Sequence, residues 1–148
     1  MPTSLRHCAC LLTRRGIPHH LDGDEMVVRV VFTTEHYRNP RGEALAIARI
    51  EVPDLRHRCR VSLERAFVCR GSIAEHCATG CRLAAEAPLV KVEHDAPGDS
   101  LRLVVDTFVG DGRLTGRQLI GMVDAVVSAV GAWQPAFAPL GGDCRAAA

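Results

Sequence analysis

The chain has 148 residues, 47% of them hydrophobic, 24% charged and only 4% aromatic. That supports one compact domain and excludes collagen, coiled coil and wholesale disorder. Eighteen basic and seventeen acidic residues leave a net charge of +1, so bulk charge does not mark a binder of nucleic acid or anionic membrane.

In chain order, Ser4 can cap a first helix running to about Arg15, with Leu5, Cys8 and Leu12 on one face. Gly16 and Pro18 stop it. The apolar run in this helix, Cys8 to Leu12, is too short for a secretory core of roughly 7–15 residues or a membrane span of about 20. A cytoplasmic protein with no membrane partner is therefore expected. A short segment then ends at Asp22-Gly23, a hairpin-turn dipeptide. Met26 to Phe32 is rich in β-branched residues and reads as a strand. Residues 34–42 contain Asn39-Pro40 and Gly42 and read as a loop. Residues 43–52 form another strand that turns at Pro53-Asp54. His57, Cys59, Val61 and Leu63 then alternate with Arg58, Arg60, Ser62 and Glu64, a strand with one wet face.

Ser72 and Glu75 make a capping box opening a helix to about Glu86, closed by Pro88. Its inward stripe is expected at Ile73, Cys77 and Cys81, with Ala74 and Ala84 beside it, and Gly80 weakens it. A hairpin follows: Leu89 to Glu93, a turn through Asp95, Pro97, Gly98 and Asp99, then Leu101 to Val109. Thr115 and Gln118 make a second capping box. Leu119, Val123, Val126, Val130 and Trp133 mark the buried stripe of the last helix, opposite Arg117, Gly121, Asp124 and Ser128. Gly131 is the expected stop. The domain is read as residues 1–133, and residues 134–148 as a loose tail.

The order α-β-β-β(-β)-α-β-β-α implies an α+β fold, an antiparallel sheet flanked by helices. The elements that carry a resemblance are the opening helix with its Ile17-Pro18 exit, the Val27–Phe32 and Ala46–Val52 strands, and the capped helix from Ser72. The Leu89/Leu101 hairpin and the Leu114-Thr115 entry before Gln118 and Leu119 complete the set. Over about residues 4–131 the chain resembles the YbjN-type family of candidate sensory-transduction regulators, whose fold is similar to that of type III secretion chaperones. The resemblance implies a non-enzymatic, regulator- or chaperone-like, protein-binding module that is often dimeric. Secretion chaperones tend to be acidic whereas this chain is near neutral, which favours the regulator-like branch, and its seven cysteines depart from the family's pattern.

No nucleophile elbow, H-E-x-x-H, P-loop or dinucleotide fingerprint occurs, and Gly110-Asp111-Gly112 lacks a following Lys-Ser/Thr. Glu35-His36, Glu75-His76 and Glu93-His94 are adjacent pairs whose side chains point apart, poor acid–base couples. No catalytic residue and no cofactor is expected. The odd cysteine count argues against a disulfide framework, and most of Cys8, Cys10, Cys59, Cys69, Cys77, Cys81 and Cys144 read as small buried hydrophobes. The alternative is a cysteine-dependent zinc or redox protein, with Cys77 and Cys81 one turn apart and Cys8 and Cys10 closing a tetrahedron; His76 lies off that stripe. A third reading is a weak RNA binder using Arg56, Arg58 and Arg60 with Arg65 nearby, although stacking aromatics are scarce. The last helix carries further apolar positions at Ile120, Met122 and Val127. Such breadth reflects deeper burial within the domain more often than an interface, but a homodimer would use Ile120 and Val127.

Overall fold

β-branched runs become strands and capped apolar stripes become helices in the computed structural model, which describes residues 4–53, 57–87, 89–109 and 113–138. The elements are α1 (Leu5–Arg14), β1 (His20–Asp22), β2 (Val27–Thr33), β3 (Leu45–Glu51), β4 (Arg58–Val68), α2 (Ile73–Glu86), β5 (Lys91–Asp95), β6 (Ser100–Phe108) and α3 (Gly116–Phe137). Four strands thus precede α2. The expected features at Asp54, Arg56, Pro88, Gly110-Asp111-Gly112 and the tail from Pro139, Cys144 included, lie outside the described residues.

All six strands form one antiparallel sheet in the order β1-β2-β3-β4-β6-β5. The register aligns Val28, Ile50, Val61 and Val105 in one cross-strand row and Val30, Ala48, Leu63 and Leu103 in the next. Both rows are buried, so period-two alternation has sorted one face of four strands into the core. The helices cover that face. α1 packs on β2 and β3, α3 crosses β3, β4 and β6 at the centre, and α2 lies on β5 and α3. Both sheet edges are blunted, β1 by having three residues and β5 by its Lys-Val-Glu-His-Asp sequence, which discourages open-ended strand addition.

α3 forms its capping box in full. Thr115 Oγ1 accepts from the Gln118 N–H at 3.1 Å, and Gln118 Oε1 accepts from the Thr115 N–H at 2.8 Å. The expected stripe from Leu119 to Trp133 is buried, together with Met122. Among the described residues α3 is the one helix long and apolar enough to cross a membrane, and its apolar stripe is spent on the sheet. It does not stop at Gly131, and residues 134–137 are not tail. Pro135 forfeits the bond to the Gly131 carbonyl and crowds it with its ring, but Phe137 is fully buried and stacks on Phe67 with ring centroids 4.3 Å apart. That packing outweighs the local stop signals.

The stripe of α2 is also rotated from expectation. His76, Gly80 and Leu83 are buried, whereas Ile73, Ala74 and Cys81 are exposed and Cys77 and Ala84 half-buried. The helix approaches β5 so closely that a Cβ on Gly80 would sit 3.0 Å from Val92 Cγ1. Glycine is therefore the contact point. Ser72 Oγ caps the helix by accepting from the Glu75 N–H.

Candidate functional site

The four proposed zinc ligands are not brought together. Cys8 is fully buried on α1, and its free thiol shares a hydrogen bond with the free thiol of Cys59 on β4. That bond lowers the Cys8 pKa despite burial and raises that of Cys59, which burial raises further. Cys10 and Cys81 are exposed and Cys77 is half-buried. Among the described residues no group of three or more His, Cys, Asp or Glu side chains could hold a metal ion. Cys69 is buried, which pushes its thiol up to about 11.

The Glu-His pairs differ: the Glu35 and His36 side chains do not point apart but come within 3.8 Å of each other in solvent. Glu35 and His36 are exposed, His94 is exposed, and Glu93 turns into a cluster of ion pairs. His76 is buried, and the Ser72 carbonyl 2.7 Å from its Nδ1 fixes the proton there, because a carbonyl only accepts. Its ring stacks on Phe137, so His76 is a core residue joining α2 to the end of α3. Within the expected arginine stripe, Arg60 is not a free cation. Arg60 grips Asp106 through two bonds of 2.9 and 3.0 Å and reaches Glu93 at 3.4 Å. Ile120 and Val127 are half-buried and pack against the core, so part of the breadth of α3 serves the monomer.

The helix-free face of the sheet is more organised than its alternating charges suggest. Arg29 pairs with Asp22 at 3.0 Å and with Glu25, and Arg49 pairs with Glu51 at 2.5 Å. Across the sheet, Lys91 reaches Asp106 at 2.9 Å and Arg102 reaches Glu64 at 3.5 Å. Burial opposes ionisation of Asp106, but Arg60 and Lys91 outweigh it and hold the carboxyl below its ordinary value. Bonds from the Glu25 N–H and from Arg29 do the same for Asp22. Val27, Ser62 and Val104 belong to this face by register, yet all three are buried. Long charged side chains with their heads paired lay apolar stems over such positions.

This cover ends near the start of β3. Val31 and Ile47 are register partners and remain 58% and 43% exposed. Here β3 and β4 part company. β4 pairs with β3 only at Ala48–Glu51, and a bulge between Leu63 and Phe67, with Arg65 at φ 49°, turns β4 away. The loop between β2 and β3 fills part of the split. Tyr37 is buried there, donating to the Ala66 carbonyl at 2.8 Å and meeting Phe67 edge-on.

Four further hydrogen bonds hold that loop. Asn39 Oδ1 accepts from the Arg41 and Glu43 N–H groups at 3.0 and 2.9 Å. Gln134 of α3 clasps Arg38, its Oε1 accepting from the Arg38 N–H and its Nε2 donating to the Arg38 carbonyl. What remains open is a groove of about 660 Å³. Its floor includes Leu45 and Ile47, and its rims carry Arg41 and Glu43 on the loop and Glu64 and Arg65 on the bulge. Sequence reasoning does not find it. The only local signal is a single tyrosine in a turn-rich connector, and its role depends on β4.

No protein-family model and no curated protein matches this chain. Among solved structures it is similar to YbjN from E. coli, described as a candidate transcription regulator, at 16% identity and a TM-score of 0.66. That match covers 90% of this chain and 92% of the other. It is also similar to a chain of the ExsC-ExsE complex, at 12% identity and a TM-score of 0.59, covering 88% and 93%. The fold, an antiparallel sheet with helices on one face, is YbjN-like and type III secretion chaperone-like.

Proposed function

We propose that the chain is a non-enzymatic, protein-binding module, regulator- or chaperone-like, acting as a cytoplasmic homodimer. One observation carries the reading. A sheet closed by helices on one face leaves the other open, and that face holds an exposed apolar pair, Val31 and Ile47, beside a groove with an ordered rim. Exposed apolar side chains framed by fixed charges are the usual makings of a protein contact. The similarity to a protein crystallised in complex with another supports the same reading. For the homodimer, the support is the half-exposed flank of α3 at Ile120 and Val127.

The test is capture from native lysate on immobilised chain, read by mass spectrometry against a Val31→Glu variant whose circular dichroism matches the parent. A partner retained by the parent and lost by the variant is expected. Retention of nothing, or of the same proteins by both, refutes the reading. Light scattering checks the dimer, for which a mass of twice 16.0 kDa is expected.

A further inference from the structure

The groove between β3 and β4 is lined by four arginines, Arg29, Arg41, Arg49 and Arg65, but by only two carboxylates, Glu43 and Glu64. Their roles differ. Arg29 and Arg49 are held by Asp22, Glu25 and Glu51, and Glu64 is within reach of Arg102. Arg41 on the β2–β3 loop and Arg65 on the β4 bulge are exposed, and among the described residues neither pairs with a carboxylate. Glu43 beside Arg41 has no ion pair there either, so the uncommitted charges are two positive and one negative. The groove has an apolar floor at Leu45 and Ile47.

We infer that this groove binds an extended, acidic peptide segment of a partner protein, with apolar side chains on the Leu45–Ile47 floor and carboxylates on Arg41 and Arg65. This deepens the protein-binding reading and rests on it. The chemistry follows from the inventory. Guanidinium groups take carboxylates through two parallel bonds. The shape suits an extended chain, because the floor is strand β3, whose side toward β4 carries no ladder partner from Leu45 to Ile47 among the described residues. A strand places alternate side chains on opposite sides, so apolar residues of a bound peptide can face the floor while the acidic residues between them lie in the open mouth, within reach of the long exposed Arg41 and Arg65 side chains. The rim is ordered before binding, through Tyr37, Asn39 and the Gln134 clasp, which lowers the entropic cost of docking.

The experiment uses two fluorescein-labelled ten-residue peptides, valine alternating with glutamate and valine alternating with lysine, titrated into the full chain and followed by anisotropy. The expected result is a preference of about tenfold or more for the glutamate peptide, weakened by added salt. Arg41→Glu/Arg65→Glu should abolish or reverse that preference with unchanged circular dichroism, since both side chains are exposed. Equal binding of the two peptides, or an unaltered preference in the double variant, overturns the inference. So does a double variant that becomes monomeric by light scattering without any peptide preference, because the groove would then hold a second copy of the chain. If a lysate partner is lost by Val31→Glu but kept by Arg41→Glu/Arg65→Glu, the groove assignment fails while the protein-binding reading stands.

Discussion

Phe137→Ala tests whether the C-terminal turn of α3 belongs to the core. Phe137 is fully buried, stacks on Phe67 at 4.3 Å and lies 6.2 Å from the His76 ring. A buried phenylalanine removes roughly 150–250 Å² from water. At about 25 cal/mol per Å² that is ~4–6 kcal/mol, of which alanine keeps a fraction. The expected loss is therefore about 3–5 kcal/mol, the usual range for Phe→Ala in a core. In a chain of this size it should lower Tm by roughly 10 °C. Urea unfolding followed by far-ultraviolet circular dichroism reads it as a drop in midpoint at unchanged slope. Combined with Phe67→Ala, the double variant should lose less than the sum of the singles, because each ring packs on the other. A loss under about 1 kcal/mol would refute the packing and return the end of α3 to Gly131.

Gly80→Ala gains helix propensity of up to about 1 kcal/mol, but the new methyl meets stiff, branched Val92 at 3.0 Å. Net destabilisation of about 1 kcal/mol by thermal melting is expected, turning neutral or stabilising in a Val92→Ala background. Asp106 has a folded-state pKa below its ordinary value, so its contribution is present above about pH 4 and fades as pH falls through the folded value. Asp106→Asn should therefore cost about 1 kcal/mol at pH 7, with the gap to the parent closing in melts below pH 4; a gap independent of pH would contradict the pairing. Ile120→Glu and Val127→Glu should lower the light-scattering mass toward 16.0 kDa with circular dichroism intact, and a collapsed spectrum would assign both positions to the monomer core.

What could be read from the chain beforehand was what local chemistry controls. The Thr115–Gln118 box, the Leu119–Trp133 stripe and the Asp22-Gly23 turn each declare themselves within a few residues, and together they give the order of elements. Features that depend on distant partners are not legible in this way, the continuation of α3 to Phe137 among them. The buried stripe of α2 is carried by His76 and Gly80, which hydropathy does not mark as core. The histidine is accommodated by its bond to Ser72 and its stack on Phe137, and the glycine by the nearness of Val92. The period of two in β4 ends at Glu64 because the bulge at Arg65 breaks it, although Ala66 and Phe67 beyond it are buried. The groove depends on that bulge and on Tyr37, so it was hidden for the same reason.

The strand order also sets a sequence of events in folding. β1–β2, β2–β3, β3–β4 and β5–β6 join neighbours along the chain and can form as local hairpins, whereas β4–β6 joins strands separated by α2 and β5. Closing that long connection is the entropically demanding step, and α3 finds its bed across β4 and β6 only afterwards. Changes at the β4–β6 seam, such as Val61→Ala, should therefore act mainly on the rate of folding. Equal losses at the short β1–β2 hairpin should appear as faster unfolding.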